Sequence, residues 1–292
     1  MFSSFRELVD LSLKTGQPLA EVVKEWEMLE NGTDPEYLSE QSLKFVIQMI
    51  KTYKDKLNSD SVSLTGWTGF NTGLYNEYRN SNKSIFSSLI SKSILASLAT
   101  SESNACMGKI VACPTAGSSG VVPGVVVALH EEKGVDLKSL SESLIVAGAV
   151  GEFIRRKASL SGAIAGCQAE IGSACAMASA LVVYALGGSP QIVENAASLS
   201  LKFLMGLVCD PVGGFVEVPC VKRNPAASVL AFVSAEMSMS GIKSLIPFDE
   251  ITEAMGKVGR SLSEDLRETG KGGIAATKTA RSLLNTFFNN KV

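Results

Sequence analysis

The stretch Gln168-Ala169-Glu170-Ile171-Gly172-Ser173-Ala174-Cys175-Ala176-Met177-Ala178-Ser179-Ala180-Leu181-Val182-Val183-Tyr184-Ala185-Leu186 decides the fold. It reads as one helical segment, 168–186, dominated by Ala and other small residues, and helices lined this way can approach one another closely. Segments of the same character lie at 85–99, 121–130, 137–156, 190–205 and 225–240. Alternating strand patterns are few. Phe215-Val216-Glu217-Val218 is the best of them, and it is short. The expectation is an all-α, multi-helix domain with functional loops rich in Gly and Pro.

Toward the N-terminus the character changes. Residues 1–83 carry more charge and read as amphipathic helices, whereas 84–292 form the small-residue-rich core; one domain, 1–292, is expected to contain both. Ser4-Phe5-Arg6-Glu7 fits a capping box before Leu8, Val9, Leu11 and Leu13. Gly16 is a natural stop. Pro18 suits the first position of a helix running to about Leu29. Asn31-Gly32-Thr33 is a turn, and Asp34-Pro35 opens a long helix to about Leu57. Between Asn58 and Asn82 the pattern breaks: Gly66-Trp67-Thr68-Gly69-Phe70-Asn71-Thr72-Gly73 reads as an ordered loop of the kind that carries function. The C-terminal part reads as a charged helix from Phe248, the Gly-rich Gly270-Lys271-Gly272-Gly273, and a last helix containing Phe287-Phe288.

Composition limits the partners. Hydrophobic residues make up 46 % but aromatics only 7 %, so the apolar excess is in small side chains suited to close helix packing. The net charge is −2 and no long basic run occurs, which disfavours nucleic acid and anionic membranes as partners. The opening residues lack the basic-then-apolar pattern of an export signal. A cytoplasmic, reducing location is expected, where Cys is more often packed, catalytic or metal-bound than disulfide-linked. The uncharged runs 171–193 and 110–129 are long enough to span a bilayer. Both contain several Gly, Ser and Pro residues, so buried segments of a core are the better reading.

The six cysteines are Cys106, Cys113, Cys167, Cys175, Cys209 and Cys220. With no C-x-x-C, zinc-finger and ferredoxin-like spacings are disfavoured; the count permits a cluster without demanding one. Cys209-Asp210-Pro211-Val212-Gly213-Gly214 and the run through Pro219 to Cys220 bracket a segment that Pro and Gly force out of helix. Such a segment can wrap a bulky object. Cys167 follows Gly162 and Gly166 at an expected helix start, where thiolate is favoured. Taken as residues alone, each Cys is more commonly a small buried apolar side chain.

Ser161-Gly162-Ala163-Ile164-Ala165-Gly166-Cys167-Gln168-Ala169-Glu170-Ile171-Gly172 resembles a signature of the iron–sulfur L-serine dehydratases, as do Cys209 to Gly214 and Val218-Pro219-Cys220. Cys113-Pro114-Thr115-Ala116-Gly117-Ser118-Ser119-Gly120 is similar to that family's substrate loop, and Arg267-Glu268-Thr269-Gly270-Lys271-Gly272-Gly273 to its C-terminal motif. The likeness covers essentially the whole chain and is to the α-subunit of the two-chain form. It implies an all-helical fold, dehydration and deamination of L-serine to pyruvate and ammonia, and a separate β-subunit. It also implies a [4Fe–4S] cluster on Cys167, Cys209 and Cys220, which acts as a Lewis acid.

By the same likeness Thr115, Gly117, Ser118 and Ser119 contact substrate, where Gly permits close backbone approach and hydroxyl and N–H groups suit a carboxylate before a helix. Cys113 is the reserve ligand and Cys175 a core residue. No base is named; Lys271 is the candidate in this chain for base or carboxylate binder, and the β-subunit is the other source. His130, followed by Glu131-Glu132-Lys133, reads as a solvated helix end, and Glu170 as a structural group near Cys167. In some single-chain members a C-terminal Cys caps the cluster; here the chain ends Asn289-Asn290-Lys291-Val292, which leaves the fourth site to water or substrate. Two other readings stand beside this one. A pyridoxal-phosphate-dependent hydroxy-amino-acid dehydratase would use Lys202 and the Gly117–Gly120 loop, but needs an α/β sheet. A non-catalytic helical or membrane scaffold would merely bury its cysteines.

Overall fold

Every residue from Ser173 to Val183 is buried, so the helix lined by small residues is the centre of the molecule. The structure, a computed structural model, describes residues 2–81 and 83–289. Among them thirteen α-helices form. The first seven are α1 (Phe5–Thr15), α2 (Leu19–Asn31), α3 (Pro35–Leu57), α4 (Asn71–Asn80), α5 (Ser88–Ala105), α6 (Val121–Lys133) and α7 (Leu137–Lys157). They are followed by α8 (Gly162–Ala165), α9 (Ser173–Ala185), α10 (Pro190–Leu204), α11 (Cys220–Met239), α12 (Phe248–Ser261) and α13 (Lys278–Asn289). The fold is all-α, as the sequence predicts.

Central α9 packs on α6, α7, α10 and α11, while α5 lies against α6 and α11. The small residues explain how closely these helices meet. A Cβ on Gly124 of α6 would lie 2.9 Å from the Ser93 carbonyl oxygen of α5, so a larger residue would push the two helices apart. Serine hydroxyls bond across the seams, Ser93 to Ser228 at 3.0 Å and Ser200 to Ser234 at 2.8 Å. Each thereby keeps a buried polar group satisfied inside a tightly packed core. The run Gln168–Ala185 is long and apolar enough to cross a membrane by length and composition, yet 83 % of it is buried in the protein, which is the behaviour of a core helix.

The N-terminal helices wrap this core. α2 and α3 pack on α7, and α1 on α2, α10 and α12. Trp26 stacks on Phe153 at 5.1 Å between ring centroids, and Phe5 meets Phe153 and Phe248 edge-on. Ser4 caps α1, although the Glu7 carboxylate reaches back to Ser3 rather than to the cap residue's own N–H. Gly16 closes α1 in the left-handed conformation. Asp34 caps α3, which ends at Leu57 as expected. Pro18 sits in the cap position of α2 rather than within it.

Three local expectations are corrected. The stretch 58–82 is not irregular throughout, because α4 occupies Asn71–Asn80. Its first N–H groups, Asn71 and Thr72, are taken up by the Glu102 carboxylate of α5, a cap supplied from 30 residues away that no local pattern reveals. Phe215–Val218 forms no strand. Its backbone turns back on itself, the Val212 N–H bonding the Val218 carbonyl, and Glu217 accepts hydrogen bonds from Ser63 and Thr65. Finally, the helix expected from Pro225 begins at Cys220. Pro225 cannot donate to the Val221 carbonyl, but Asn224 Nδ2 bonds the Cys220 carbonyl at 2.9 Å and helps hold the first turn.

Candidate functional site

Three connecting segments meet at one end of the core. The first runs from α8 through Gly166 and Cys167 into a π-turn at Gln168–Gly172, which continues as α9. π-turns of this kind are concentrated at functional sites. Gln168, fully buried, pins the turn: its amide bonds the carbonyls of Ala165 and Met255 and accepts from the Gly206 N–H. The second segment carries Cys209 and Asp210. The third is the C-terminal loop, which forms an isolated parallel β-bridge between Arg267 and Cys209. The Cys209 N–H bonds the Leu266 carbonyl at 2.9 Å, and the Glu268 N–H bonds the Cys209 carbonyl at 2.7 Å. Asp210 fastens the same loop by accepting the Ile274 N–H at 2.7 Å, and it pairs with Arg223 of α11 at 2.8 Å.

These connections bring Cys167, Cys209 and Cys220 together as free, buried thiols. Cys167, Cys209 and Glu170 offer donor atoms that all lie within 4.8 Å of one another. Cys220, the first residue of α11, stands outside that tight set but within electrostatic reach of Cys167 and Glu170. The adjacent Cys209 thiol lowers the Cys167 pKa against the opposing effect of burial, and the Arg223 guanidinium adds to the lowering. Cys209 is driven upward correspondingly. Burial pushes Cys220 to about 12. A buried group of thiols with one member already biased to thiolate, and a carboxylate beside it, is a donor set suited to a soft metal centre.

Glu170 links the thiols to the Thr115–Ser119 loop. Its Oε1 accepts from the Thr115 hydroxyl at 2.7 Å, and its Oε2 lies 3.9 Å from Cys209 Sγ. Burial raises its pKa, a shift that the Thr115 hydrogen bond opposes and the neighbouring Glu268 reinforces. Asn224 of α11 braces the loop from the other side, donating to the Gly117 carbonyl and accepting from the Gly120 N–H, both at 2.9 Å. Ser118 and Ser119 are buried, and among the described residues the Ser119 hydroxyl has no hydrogen-bond partner. The loop leads directly into the N-terminus of α6. Its hydroxyl and N–H groups, the unpartnered one included, are those an anion would use.

A family model of serine dehydratase alpha chains matches residues 14–275. The chain belongs to the serine dehydratase alpha chain family. An L-serine dehydratase alpha chain from Peptoniphilus asaccharolyticus is 40 % identical over 289 residues, covering 98 % of both chains. A probable L-serine dehydratase alpha chain from Bacillus subtilis is 40 % identical over 290 residues, or 99 % of this chain and 96 % of its own. An L-serine dehydratase from Streptomyces coelicolor is 41 % identical over 183 residues, which cover 62 % of this chain but 40 % of that longer one.

The other residues singled out in the sequence fall elsewhere. In this serine dehydratase alpha chain Cys113 lines a separate apolar cavity with Met49, Leu144 and Met177, next to a cis Pro114. Cys175 is fully buried and its thiol faces the Ala227 carbonyl; burial pushes both of these thiols to about 12. Cys106 bonds the Ser61 carbonyl. His130 bonds the Val135 carbonyl at the end of its own helix, while Glu131 and Glu132 pair with Lys92 and Arg79. Lys202 bonds the Ser244 carbonyl, and among the described residues there is no sheet of the kind the pyridoxal-phosphate reading requires. Lys271 is exposed on the loop that the Cys209–Arg267 bridge brings to the thiols. Residues 290–292, on which the tail-capping question turns, lie outside the described residues.

Sequence reasoning missed Glu268 and Asn224. Glu268 Oε2 lies beside Gly162, the residue that Glu170 Oε2 and Cys209 Sγ also flank. Its left-handed φ of 63° in a non-Gly residue is the signal in the structure, since such strain persists where surroundings enforce it. In the sequence only its place inside Arg267-Glu268-Thr269-Gly270 hinted at a role.

Proposed function

We propose that this chain is the α-subunit of an L-serine dehydratase that converts L-serine to pyruvate and ammonia, holding a [4Fe–4S] cluster on Cys167, Cys209 and Cys220 and acting with a separate β-subunit. The observation that carries the reading is the presence of three buried free thiols, one ahead of the π-turn and two at the ends of the segment 209–220, beside a loop whose Ser119 hydroxyl is unused among the described residues. A cluster is wider than a single ion, and the wider placement of Cys220 suits it. When bound, the cluster supplies an electrophilic iron that activates a poor leaving group without a strong acid.

The chain's own residues would then do the following. The Thr115–Ser119 loop binds the substrate carboxylate through N–H and hydroxyl groups, the Ser119 hydroxyl among them, at the start of α6. Glu268, on the acidic side of the site, complements the substrate ammonium. Asn224 keeps the loop in register with the helix that starts at Cys220. The buried floor of Cys167, Gln168 and Cys209 excludes water and so strengthens each of these interactions. The Cα proton requires a positioned base, which is sought in Lys271 or in the β-subunit. The serine dehydratase relatives' work as metabolic enzymes fits a cytoplasmic setting.

The test is anaerobic purification with the β-subunit, followed by iron and sulfide analysis and a pyruvate assay with L-serine. About four iron and four sulfide per chain, with turnover that fades on aeration, is expected. Protein that stays free of iron after anaerobic reconstitution, or a hydroxylamine-sensitive chromophore, overturns it.

Gly162 gives a sharper test of the geometry. A Cβ there would lie 2.7 Å from Glu170 Oε2, 2.9 Å from Cys209 Sγ and 3.2 Å from Glu268 Oε2. Gly162→Ala should displace all three and reduce serine turnover roughly 100-fold, the cost of about 1 Å of misplacement, while far-UV dichroism stays that of the parent. Turnover within about two-fold of the parent would show that these groups need not hold their positions.

A further inference from the structure

We infer that Glu170 is the fourth ligand of the cluster, a carboxylate that holds the iron left open by the three cysteines; this rests on the cluster reading above. Four observations point the same way. Glu170 donor atoms lie within 4.8 Å of those of both Cys167 and Cys209. The residue sits on the π-turn that begins immediately after Cys167, so the two donors are fixed by one rigid piece of backbone. Space has been cleared around the carboxylate on two sides: a Cβ on Gly117 or Gly162 would come within 3.0 or 2.7 Å of its oxygens. Finally, the charge is uncompensated. Among the described residues Glu170 has no ion pair, and its hydrogen-bond partners are the Thr115 hydroxyl and the Cys209 thiol. Arg223, the guanidinium that acts on Cys167, is engaged by Asp210 and the Val208 carbonyl.

A partly buried carboxylate facing thiols and a second carboxylate, Glu268, is unfavourable without a cation. An iron at that corner supplies one. Oxygen is the harder donor and holds iron of a sulfide cluster less firmly than thiolate does, so this corner is the exchangeable one. Its second oxygen is tied to Thr115, the first hydroxyl of the substrate loop. Substrate settling on the loop competes for the Thr115 hydroxyl and loosens the carboxylate at the corner where it is needed. The loop and the cluster thus share one side chain.

The experiment compares anaerobic, iron-57-loaded parent with Glu170→Gln, Glu170→Ala and Glu268→Gln. Iron and sulfide content, Mössbauer spectra and three-iron cluster formation on brief aeration are measured, with dichroism as the check on folding. In the parent, one iron of the four should carry the signature of a non-sulfur ligand. That signature should change in both Glu170 variants and on adding L-serine to the parent, and stay parental in Glu268→Gln. Three-iron cluster should form roughly five-fold faster in Glu170→Gln, because a carboxamide is the poorer ligand. Parental spectra and rates in both folded Glu170 variants overturn the inference, as does an equal change in Glu268→Gln, which would mark a general charge effect. A parent without iron would instead sink the underlying cluster reading, so the two failures are distinguishable.

Discussion

Replacing Cys167, Cys209 or Cys220 by alanine, one at a time, is expected to eliminate cluster retention and to lower serine turnover at least about 1,000-fold, beyond the roughly 10–100-fold typical of losing an outer-shell partner. The reason lies in the connections. Each thiol arrives on a separate segment: Cys167 before the π-turn, Cys209 on the bridge to Arg267, and Cys220 at the head of α11. No neighbouring sulfur can substitute. Cys113 lines a different cavity, Cys175 faces the Ala227 carbonyl, and Cys106 faces the Ser61 carbonyl. Alanine at those three positions should leave iron content at the parental level, which makes the contrast internal to the protein. Metal analysis, sulfide analysis and pyruvate release check it. A Cys209→Ala variant with full iron and full turnover would remove Cys209 from the ligand set.

The second large effect is on stability. Glu102 is fully buried on α5, and its carboxylate accepts six hydrogen bonds. The donors are the Thr68 and Thr72 hydroxyls, the N–H groups of Gly69, Asn71 and Thr72, and the Asn71 side-chain amide. Burial alone would raise its pKa; the hydrogen bonds, led by those from Thr72 and Thr68, outweigh it and leave the value at about 2. Glu102→Ala leaves those donors facing an empty space. It should cost on the order of 3–5 kcal/mol and lower Tm by roughly 6–15 °C.

The pH dependence has a definite sign. The folded-state pKa lies below the reference value of 4.5, so this stabilisation is fully present above pH 4.5. It is lost as the pH falls from there through about 2. The gap in Tm between parent and Glu102→Ala should therefore be widest near neutrality and narrow below pH 4.5. Calorimetry at pH 7 and at several acid values measures it. A variant melting within about 2 °C of the parent at pH 7 would mean that the loop is anchored by something else.

The helical core was legible because composition carries it. The residues of 168–186 that make close packing possible are adjacent in the chain, and Asp34-Pro35 and Gly16 mark their helix boundaries by local chemistry. Among the residues that the cysteine motifs pointed to, Cys167 and Cys209 lie together with Glu170, while Cys220 stands outside that tight set. What could not be read depends on partners far away in sequence. The start of α4 needs Glu102, which in the sequence is a lone acid among Ser and Ala. Phe215–Val218 alternates like a strand, but no second strand exists for it among the described residues. Its hydrogen bonds go instead to Val212, Ser63 and Thr65. Glu268 enters the site through one backbone bridge between segments nearly sixty residues apart, and periodicity says nothing about such a meeting.

That same bridge dictates when the pocket can exist during synthesis. A chain emerging from the ribosome folds from its N-terminal side first, and the wrapped helices from α1 to α11 can assemble with all three thiols already outside. Yet the Cys209 N–H and carbonyl find their partners at Leu266 and Glu268, and Asp210, already paired with Arg223, takes up the Ile274 N–H as well. Until those late residues arrive, the wall behind Cys209 is missing and the thiols stand open to oxidants. Closure of that wall is therefore a late event in the protein's biogenesis. A chain ending before residue 266 would lack the backbone partners of Cys209, and with them the wall behind the thiols.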